Sequence, residues 1–360
     1  MFLDVDVSDA FSSLSARPLH ALQVQRSTQV VQGELLAALI RDVQEQGTLP
    51  SARSAIAWAA RIVDYREQID ISAFAAQVRA GWTNVVRLCS GGARYFLKTT
   101  LLPKFKEAEL GQALERMGVP VARTVAYEPE QRWWLTESVP GRSLAVNGTC
   151  EALDAVAASL ASWQSKLSAV TGSYCTPSPP LTAARLKQGV SAVFEHAAMS
   201  VARSVAERAC RDLHLLIDHV DFDQTQFAVL HTDPAPSNIM IADSGGVALI
   251  DWAEATIGPK GLAIEFYIEC LRRFRPSWLQ ASGIDADRLR SIYRANGGVL
   301  LALDSESERT AFVALCRAVL NFEYATVCHE YKELDSAFAV ECHNMGQLLL
   351  QAHTRLTSLA

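Results

Sequence analysis

Three short apolar runs, at 227–230, 239–241 and 247–250, stand close together in a region whose pattern is otherwise helical. Runs of three or four such residues bounded by turn formers read as strands, and strands this close in sequence must fold back on one another. Asp243-Ser244-Gly245-Gly246 supplies the turn between the second and third. The first and second are joined by His231-Thr232-Asp233-Pro234-Ala235-Pro236-Ser237-Asn238, and Asp251 follows the third. Asp233 then leaves the end of a strand on a loop, Asn238 closes that loop, and Asp251 returns from the hairpin to the same place. The spacing predicts three oxygen-bearing side chains converging at one edge of a small sheet. Taken singly, an Asp before Pro is a turn residue and an Asn four places on is a cap. Taken together, between β-runs, they make a chemical site.

Phosphoryl transfer needs such a group. One carboxylate orients the attacking hydroxyl and accepts its proton, the role that suits Asp233. An amide oxygen and a second carboxylate, Asn238 and Asp251, suit Mg²⁺, which prefers hard oxygen ligands in octahedral geometry. His231, in the same catalytic segment, is expected to hold the loop by hydrogen bonds rather than to titrate.

Bulk properties narrow the classes further. The 360 residues are 49% apolar and 20% charged, which is globular composition with chain enough for two or three domains. A net charge of −6 argues against nucleic acid as partner. No run of 18 apolar residues occurs, so no membrane span is expected. The opening Met1-Phe2-Leu3-Asp4-Val5-Asp6 has acids where a leader needs bases, and the eight cysteines never form C-x-x-C. The expectation is a cytoplasmic chain with reduced thiols. Cys328-His329 and Cys342-His343 lack zinc-finger spacing and read as helix residues. Residues 221–360 hold 18 acids against 11 bases, a field that either draws a cationic ligand or only keeps the surface soluble.

The chain divides by texture. Leu35, Leu36, Leu39, Ile40 and Val43 mark one helical face, and Ile56, Ala59, Ala60 and Val63 mark a second, so 1–70 is expected to be a helical N-terminal extension. Its apolar faces need a partner, and packing on the next segment is the simplest. Residues 71–139 read as strand, strand, helix, strand, strand: two β-runs around Ser90-Gly91-Gly92, a helix at about 104–117 closed by Gly118, then 124–127 and 133–137. After Pro140-Gly141 the chain, 140–360, is mostly helical. The fold class is α+β.

His231-x-Asp233-x4-Asn238 followed by Leu249-Ile250-Asp251-Trp252 resembles the catalytic and metal segments of the aminoglycoside phosphotransferase and choline kinase superfamily, small-molecule relatives of protein kinases. Pro236 keeps the proline of that family's H-G-D-x-x-P-x-N loop. The resemblance spans roughly 75–355 and implies a two-lobed, protein-kinase-like fold, with a small antiparallel sheet lobe and a larger, mostly helical lobe. It also implies Lys98 as the lysine that neutralises the nucleotide phosphates, with Glu107 as its partner and Glu109 as the fallback. Gly81, Thr83 and Asn84 fall where the family has its nucleotide loop, although no full G-x-G-x-x-G is present. Glu137 and Val139, before Pro140-Gly141, fall where backbone groups meet the purine.

The implied activity is Mg²⁺-dependent transfer of the γ-phosphate of ATP or GTP to a hydroxyl of a small molecule. Glu254, Glu265, Tyr267 and Glu269 would form an acidic wall, which favours an aminoglycoside-type or other cationic acceptor. Choline, homoserine or a sugar as acceptor, or nucleotide binding without turnover, are the alternatives. Two departures stand out. Gly261 occupies the position of an Asp that braces the family's catalytic loop, with Glu265 as a possible substitute. Trp163-Gln164 replaces a Leu-His pair. The protein-kinase class itself is disfavoured, because no Arg follows His231 and no Ala-Pro-Glu follows Asp251.

Overall fold

Two eight-residue runs of alternating side chains reverse on each other at Gly92, whose φ of +80° suits a residue without a Cβ. In the computed structural model they form the centre of a five-stranded antiparallel sheet. Its strands are β1 (Phe74–Ala75), β2 (Thr83–Ser90), β3 (Ala93–Thr100), β4 (Thr124–Glu128) and β5 (Trp133–Glu137), in the order β1-β2-β3-β5-β4. The structure describes 83–357 except 91, 101–105, 147, 172–178, 198–202, 224–225, 282–284 and 333–334. Before 83 it describes only 55, 58, 59, 61–63, 74 and 75. The helix expected over 35–43 therefore lies outside the described residues.

Leu88, Leu97, Trp133 and Leu135 make one face of this sheet apolar, and Ala55 and Ala59 are buried against it. Trp58 stacks at 6.1 Å on Trp133. The described residues of the second N-terminal helix thus cover the sheet, which is where its apolar face finds a partner.

The helix α1 (Glu107–Arg116) follows β3 and ends at Met117, just before Gly118, at φ +69°. Its Leu110, Ala113 and Leu114 belong to the core of the helical region, not to the sheet's own cluster. One helix is therefore bolted to the larger body while its first residue, Glu107, stays beside β3.

The larger body comprises β6 (Arg142–Ser143), α2 (Cys150–Ser162), α3 (Gln164–Val170), α4 (Ala183–His196), α5 (Arg203–His219), β7 (Phe227–Leu230), β8 (Ile239–Ile241), β9 (Val247–Leu249) and β10 (Thr256–Pro259). It is completed by α6 (Leu262–Phe274), α7 (Pro276–Ala281), α8 (Ala286–Ala295), α9 (Glu306–Lys332) and α10 (Asp335–Thr357). Thr149 and Thr182 cap α2 and α4, each accepting a backbone N–H at 3.2 Å. Among the described residues no helix is long and apolar enough to cross a membrane.

The three apolar runs do not form one sheet, which corrects the expectation. The second and third pair as β8 and β9 with β6, whereas β7 pairs with β10. β7 instead pairs with a strand that ends in Gly258-Pro259, a pair that reads as a turn in sequence. A Cβ at Gly258 would stand 2.9 Å from the Leu230 side chain, so glycine lets these two strands approach. The polar loop consequently runs between two small sheets rather than along the edge of one.

The connection between the five-stranded sheet and this body is equally tight. Gly141 sits at φ +113°, and a Cβ there would lie 2.2 Å from the carbonyl oxygen of Ile241. Only glycine permits the chain leaving β5 to enter β6 against β8.

Candidate active site

Lys98 lies on β3 opposite Val85 of β2 and Trp134 of β5. Its ammonium donates to Glu107 Oε1 at 2.7 Å and to Asp251 Oδ1 at 3.0 Å. The lysine comes from the sheet, the glutamate from the first turn of α1, and the aspartate from the end of the β8–β9 hairpin. Glu107, not Glu109, meets Lys98; Glu109 instead accepts from the Tyr127 hydroxyl at 3.2 Å. Glu107 Oε1 also accepts the backbone N–H of Trp252 at 3.2 Å, which ties the helix to the residue after Asp251. Asp251 itself has φ +65°, a left-handed conformation that Asp tolerates better than most residues and that turns its carboxylate out of the strand.

Burial alone would push the Lys98 ammonium down, but Asp251 and Glu107 more than offset it and hold it above the usual lysine range. Burial pushes the Glu107 carboxyl up, against the pull of Lys98. The second oxygen of Glu107 is buried with no hydrogen-bond partner. The cluster therefore carries one cation against two carboxylates in a space that penalises charge.

The loop between β7 and β8 brings the other residues in. Asn238 donates its amide to the Asp233 carbonyl at 3.0 Å and to Asp233 Oδ2 at 3.3 Å. The backbone N–H of Ile250 donates to the Asn238 carbonyl at 2.9 Å, which sets Asn238 next to the strand that delivers Asp251. His231 is buried against the Trp252 ring, 4.7 Å between centroids, and donates from Nε2 to the Ile250 carbonyl at 2.8 Å. Burial holds its pKa below the ordinary imidazole value, so it is a neutral structural donor.

The loop is braced without an aspartate at 261. Thr232 donates to the Glu254 carbonyl at 2.9 Å, and the Ser143 hydroxyl and Ala145 N–H both reach the Pro236 carbonyl, at 2.9 and 3.0 Å. Glu265 does not take the bracing role: both its oxygens accept from Arg290, each at 2.7 Å, in the core. Gln164 pins the neighbouring segment, donating to the Lys260 carbonyl and accepting from the Val299 N–H. At Gly261 a Cβ would stand 2.3 Å from the backbone nitrogen of Leu301. Gly261→Asp is therefore expected to destabilise the fold by at least about 2 kcal/mol rather than strengthen the loop. Urea unfolding measures this, and an unchanged midpoint would refute it.

The acidic wall expected after 251 is not assembled. Tyr267 is fully buried, with its hydroxyl directed to the Leu153 carbonyl at 3.4 Å, and Glu265 is buried in its pair with Arg290. Glu265 and Tyr267 lie among the buried residues of α6, so they do not share an open face with Glu269. Glu254 is half-buried beside the loop. Glu269 lines a cavity of about 390 Å³ together with Arg272, Arg273, Glu306, Thr310 and Arg355. That lining is rich in arginine rather than uniformly acidic.

Of the residues expected at the nucleotide, Gly81 lies outside the described residues. Thr83 and Asn84 open β2 opposite Thr100 and Thr99. Glu137 ends β5; its carboxylate is paired with Arg123, and its N–H donates to the Arg123 carbonyl. The arginine raises no barrier to ionisation of Glu137 but favours it, holding the carboxyl below the usual range. Val139 is half-buried in the link that follows.

Two residues beside Asp233 were not foreseen. The Cys270 thiol, from α6, is 3.7 Å from Asp233 Oδ1, and Arg317 Nη1, from α9, is 4.0 Å from the same oxygen. The available signal was Arg317 itself, the one polar side chain in the run 311–320.

A five-stranded sheet bearing a lysine paired with a helix glutamate, set over a helical body that offers Asp, Asn and Asp, defines a protein-kinase-like fold. The profile of the phosphotransferase enzyme family matches residues 75–261, just over half of the chain, and the protein belongs to that family, within the aminoglycoside phosphotransferase and choline kinase superfamily. Solved structures agree on the fold. A candidate aminoglycoside phosphotransferase from Ralstonia eutropha is 18% identical with a TM-score of 0.57, over 84% of this chain and 98% of that one. The choline kinase LicA from Streptococcus pneumoniae is 14% identical with a TM-score of 0.53, over 84% and 100%. The amicoumacin kinase hAmiN is 16% identical with a TM-score of 0.55, over 84% and 93%. No curated protein sequence matches this chain.

Proposed function

We propose that this protein transfers the γ-phosphoryl group of ATP or GTP to a hydroxyl of a small molecule, with Mg²⁺ bound. The observation that carries the reading is the meeting of Lys98, Glu107 and Asp251 beside the Asp233–Asn238 loop. Among solved structures of similar fold, the amicoumacin kinase hAmiN holds AMP-PNP, which supports a nucleoside triphosphate as co-substrate here.

The donor set fits Mg²⁺. The Asn238 amide nitrogen is spent on Asp233, while its side-chain oxygen accepts from the Ser237 hydroxyl at 3.4 Å and keeps a second lone pair for a cation, and the Asp251 carboxylate stands about 40% exposed next to it in the fold. Among the described residues no group of three His, Cys, Asp or Glu side chains could hold a metal. Two protein oxygens are nevertheless enough for Mg²⁺, which completes its shell with phosphate and water. Such an ion offsets the charge of the β- and γ-phosphates.

Lys98 serves as the fixed cation for the phosphate chain, and Glu107 keeps it extended and charged. Asp233 accepts a hydrogen bond from the acceptor hydroxyl and takes its proton as the oxygen bonds to the γ-phosphorus. The bond from that phosphorus to the bridging oxygen breaks, and the nucleoside diphosphate leaves. Catalysis of this kind is positioning and charge stabilisation, with no covalent enzyme intermediate.

For the acceptor, the acidic wall reduces to Glu254 and Glu269, the latter among arginines. The net acidity of residues 221–360 remains the support for a cationic acceptor, and neutral polyols belong in the same test. The decisive measurement is nucleoside diphosphate release with Mg²⁺ and ATP or GTP across aminoglycosides, macrolides, choline, amino alcohols and sugars. Acceptor-dependent release, lost with EDTA, is expected for at least one class. Nucleotide binding with no release for any acceptor would sink the kinase reading in favour of binding without turnover.

A further inference from the structure

Asp233 is approached from both sides. Asn238 donates to Oδ2 at 3.3 Å, while the Cys270 thiol at 3.7 Å and Arg317 Nη1 at 4.0 Å face Oδ1. Arg317 reaches in from α9, a helix outside the residues matched by the family profile. Its side chain is only 11% exposed. Nη2 donates to the Cys270 sulfur at 2.8 Å, the guanidinium lies over the Phe266 ring at 5.5 Å, and Nε is buried with no hydrogen-bond partner.

This is a poor arrangement for stability alone. A buried guanidinium ordinarily takes a close carboxylate on two of its donors, as Arg290 does here with Glu265. Arg317 has instead a thiol as its nearest partner. Burial pushes that thiol up to about 12, so it is neutral and cannot compensate the charge. The carboxylate that faces Arg317 is Asp233, which must stay partly open to the acceptor and is 36% exposed. A full cation is thus kept in a desolvated place where its field falls on one oxygen of Asp233.

We propose that Arg317, with Cys270 as its spacer, is a positioning residue for Asp233: it fixes the carboxylate plane so that Oδ2 stays with Asn238 and Oδ1 stays towards Cys270 and Arg317, while the open edge meets the acceptor hydroxyl. The proposal rests on the reading of Asp233 as the acceptor-orienting residue. Phe266 and Cys270 set the height of the guanidinium, and the spacing of Cys270 to Phe266, one turn of α6, places both against the same arginine.

The test combines turnover and a thermal cycle. With the acceptor that supports turnover, Arg317→Met is expected to lower kcat by about 10- to 100-fold while leaving the KM for ATP within about twofold. Arg317→Lys, which keeps the charge without the fork, recovers part of the loss. In the Asp233→Asn background, Arg317→Met changes the residual rate by less than about twofold, because the group it acts through is gone. A merely structural arginine would lower both backgrounds by the same factor, and that result would overturn the proposal. The melting temperatures of wild type, Arg317→Met, Asp233→Asn and the double variant supply a second readout that needs no acceptor. The double variant is expected to lose less than the sum of the single losses, and additive losses would overturn the proposal. Absence of turnover for every acceptor strikes at the proposed function, whereas the thermal cycle tests the coupling of Arg317 to Asp233 on which the positioning role depends in either case.

Discussion

Asp233→Asn is expected to lower acceptor-dependent nucleoside diphosphate release by about 10²- to 10⁴-fold while the protein stays folded and still binds nucleotide. The substitution keeps size and shape and removes the capacity to take a proton. Its main structural cost falls on Arg317, whose facing carboxylate loses its charge. The Asp233 side chain is about a third exposed, its contact with Asn238 is a 3.3 Å hydrogen bond that an amide oxygen can also accept, and the phosphate-facing cluster of Lys98, Glu107 and Asp251 does not touch it. Nucleotide affinity, read by calorimetry with Mg·ATP, should stay within about threefold, since Lys98 and Asp251 are untouched. A variant that keeps more than about a tenth of the wild-type rate would show that another group orients the acceptor. A variant that loses nucleotide binding as well would place Asp233 among the phosphate ligands instead.

The loop that bears Asp233 was legible because its chemistry is local. Asp, Pro, Asn and the second Asp fall within nineteen positions, 233–251, and strand runs on either side fix where they emerge. Lys98 was legible for a related reason: a hairpin signal at Gly92 fixes the register of its strand, and Glu107 opens the next helix. What the spacing could not reveal is which buried polar residues find each other across long separations. Arg290 and Glu265 are 25 positions apart, and Arg317 and Asp233 are 84 apart, and the apolar patterns of the helices that carry Glu265, Arg290 and Arg317 do not fix their mutual rotation. Glu265 and Tyr267 were expected at an open wall because they follow Asp251 closely in sequence, where the implied acceptor pocket would lie, and their positions alone do not tell which face of that helix is covered. Both are instead buried residues of α6, the glutamate neutralised by an arginine from α8 and the tyrosine hydroxyl directed to a carbonyl of α2. β10 was missed because Gly258-Pro259 is turn chemistry in isolation and becomes a strand only against β7.

Lys98→Met is expected to be the most damaging single change to stability, by about 3–5 kcal/mol, and to abolish turnover. The methionine fills the space of the lysine stem, so the loss is electrostatic rather than a cavity. Glu107 and Asp251 would be left near one another without the cation that both now contact, in a setting where Lys98 is 13% and Glu107 11% exposed. The pH dependence separates this from a packing defect. Burial already raises the Glu107 carboxyl above its ordinary value, and Lys98 opposes that rise. Such a raised carboxyl contributes stability that is fully present below the unfolded-state value and is lost as pH rises through the folded-state value. With Lys98 removed the opposition is gone and Glu107 is raised further, so the variant should regain part of its stability at pH 5 and lose it towards pH 8. In the wild type the Lys98 contribution does not vary over that range, because the ammonium, held above the usual lysine value, stays charged throughout. Urea unfolding of both proteins at pH 5 and pH 8 measures the difference. Curves that run parallel between the two pH values would mean that Glu107 is not the group left uncompensated. Lys98→Arg does not rescue: the guanidinium is longer and bulkier than the ammonium that now reaches Glu107 Oε1 and Asp251 Oδ1 at 2.7 and 3.0 Å in a buried space, so activity should remain lost while part of the stability returns.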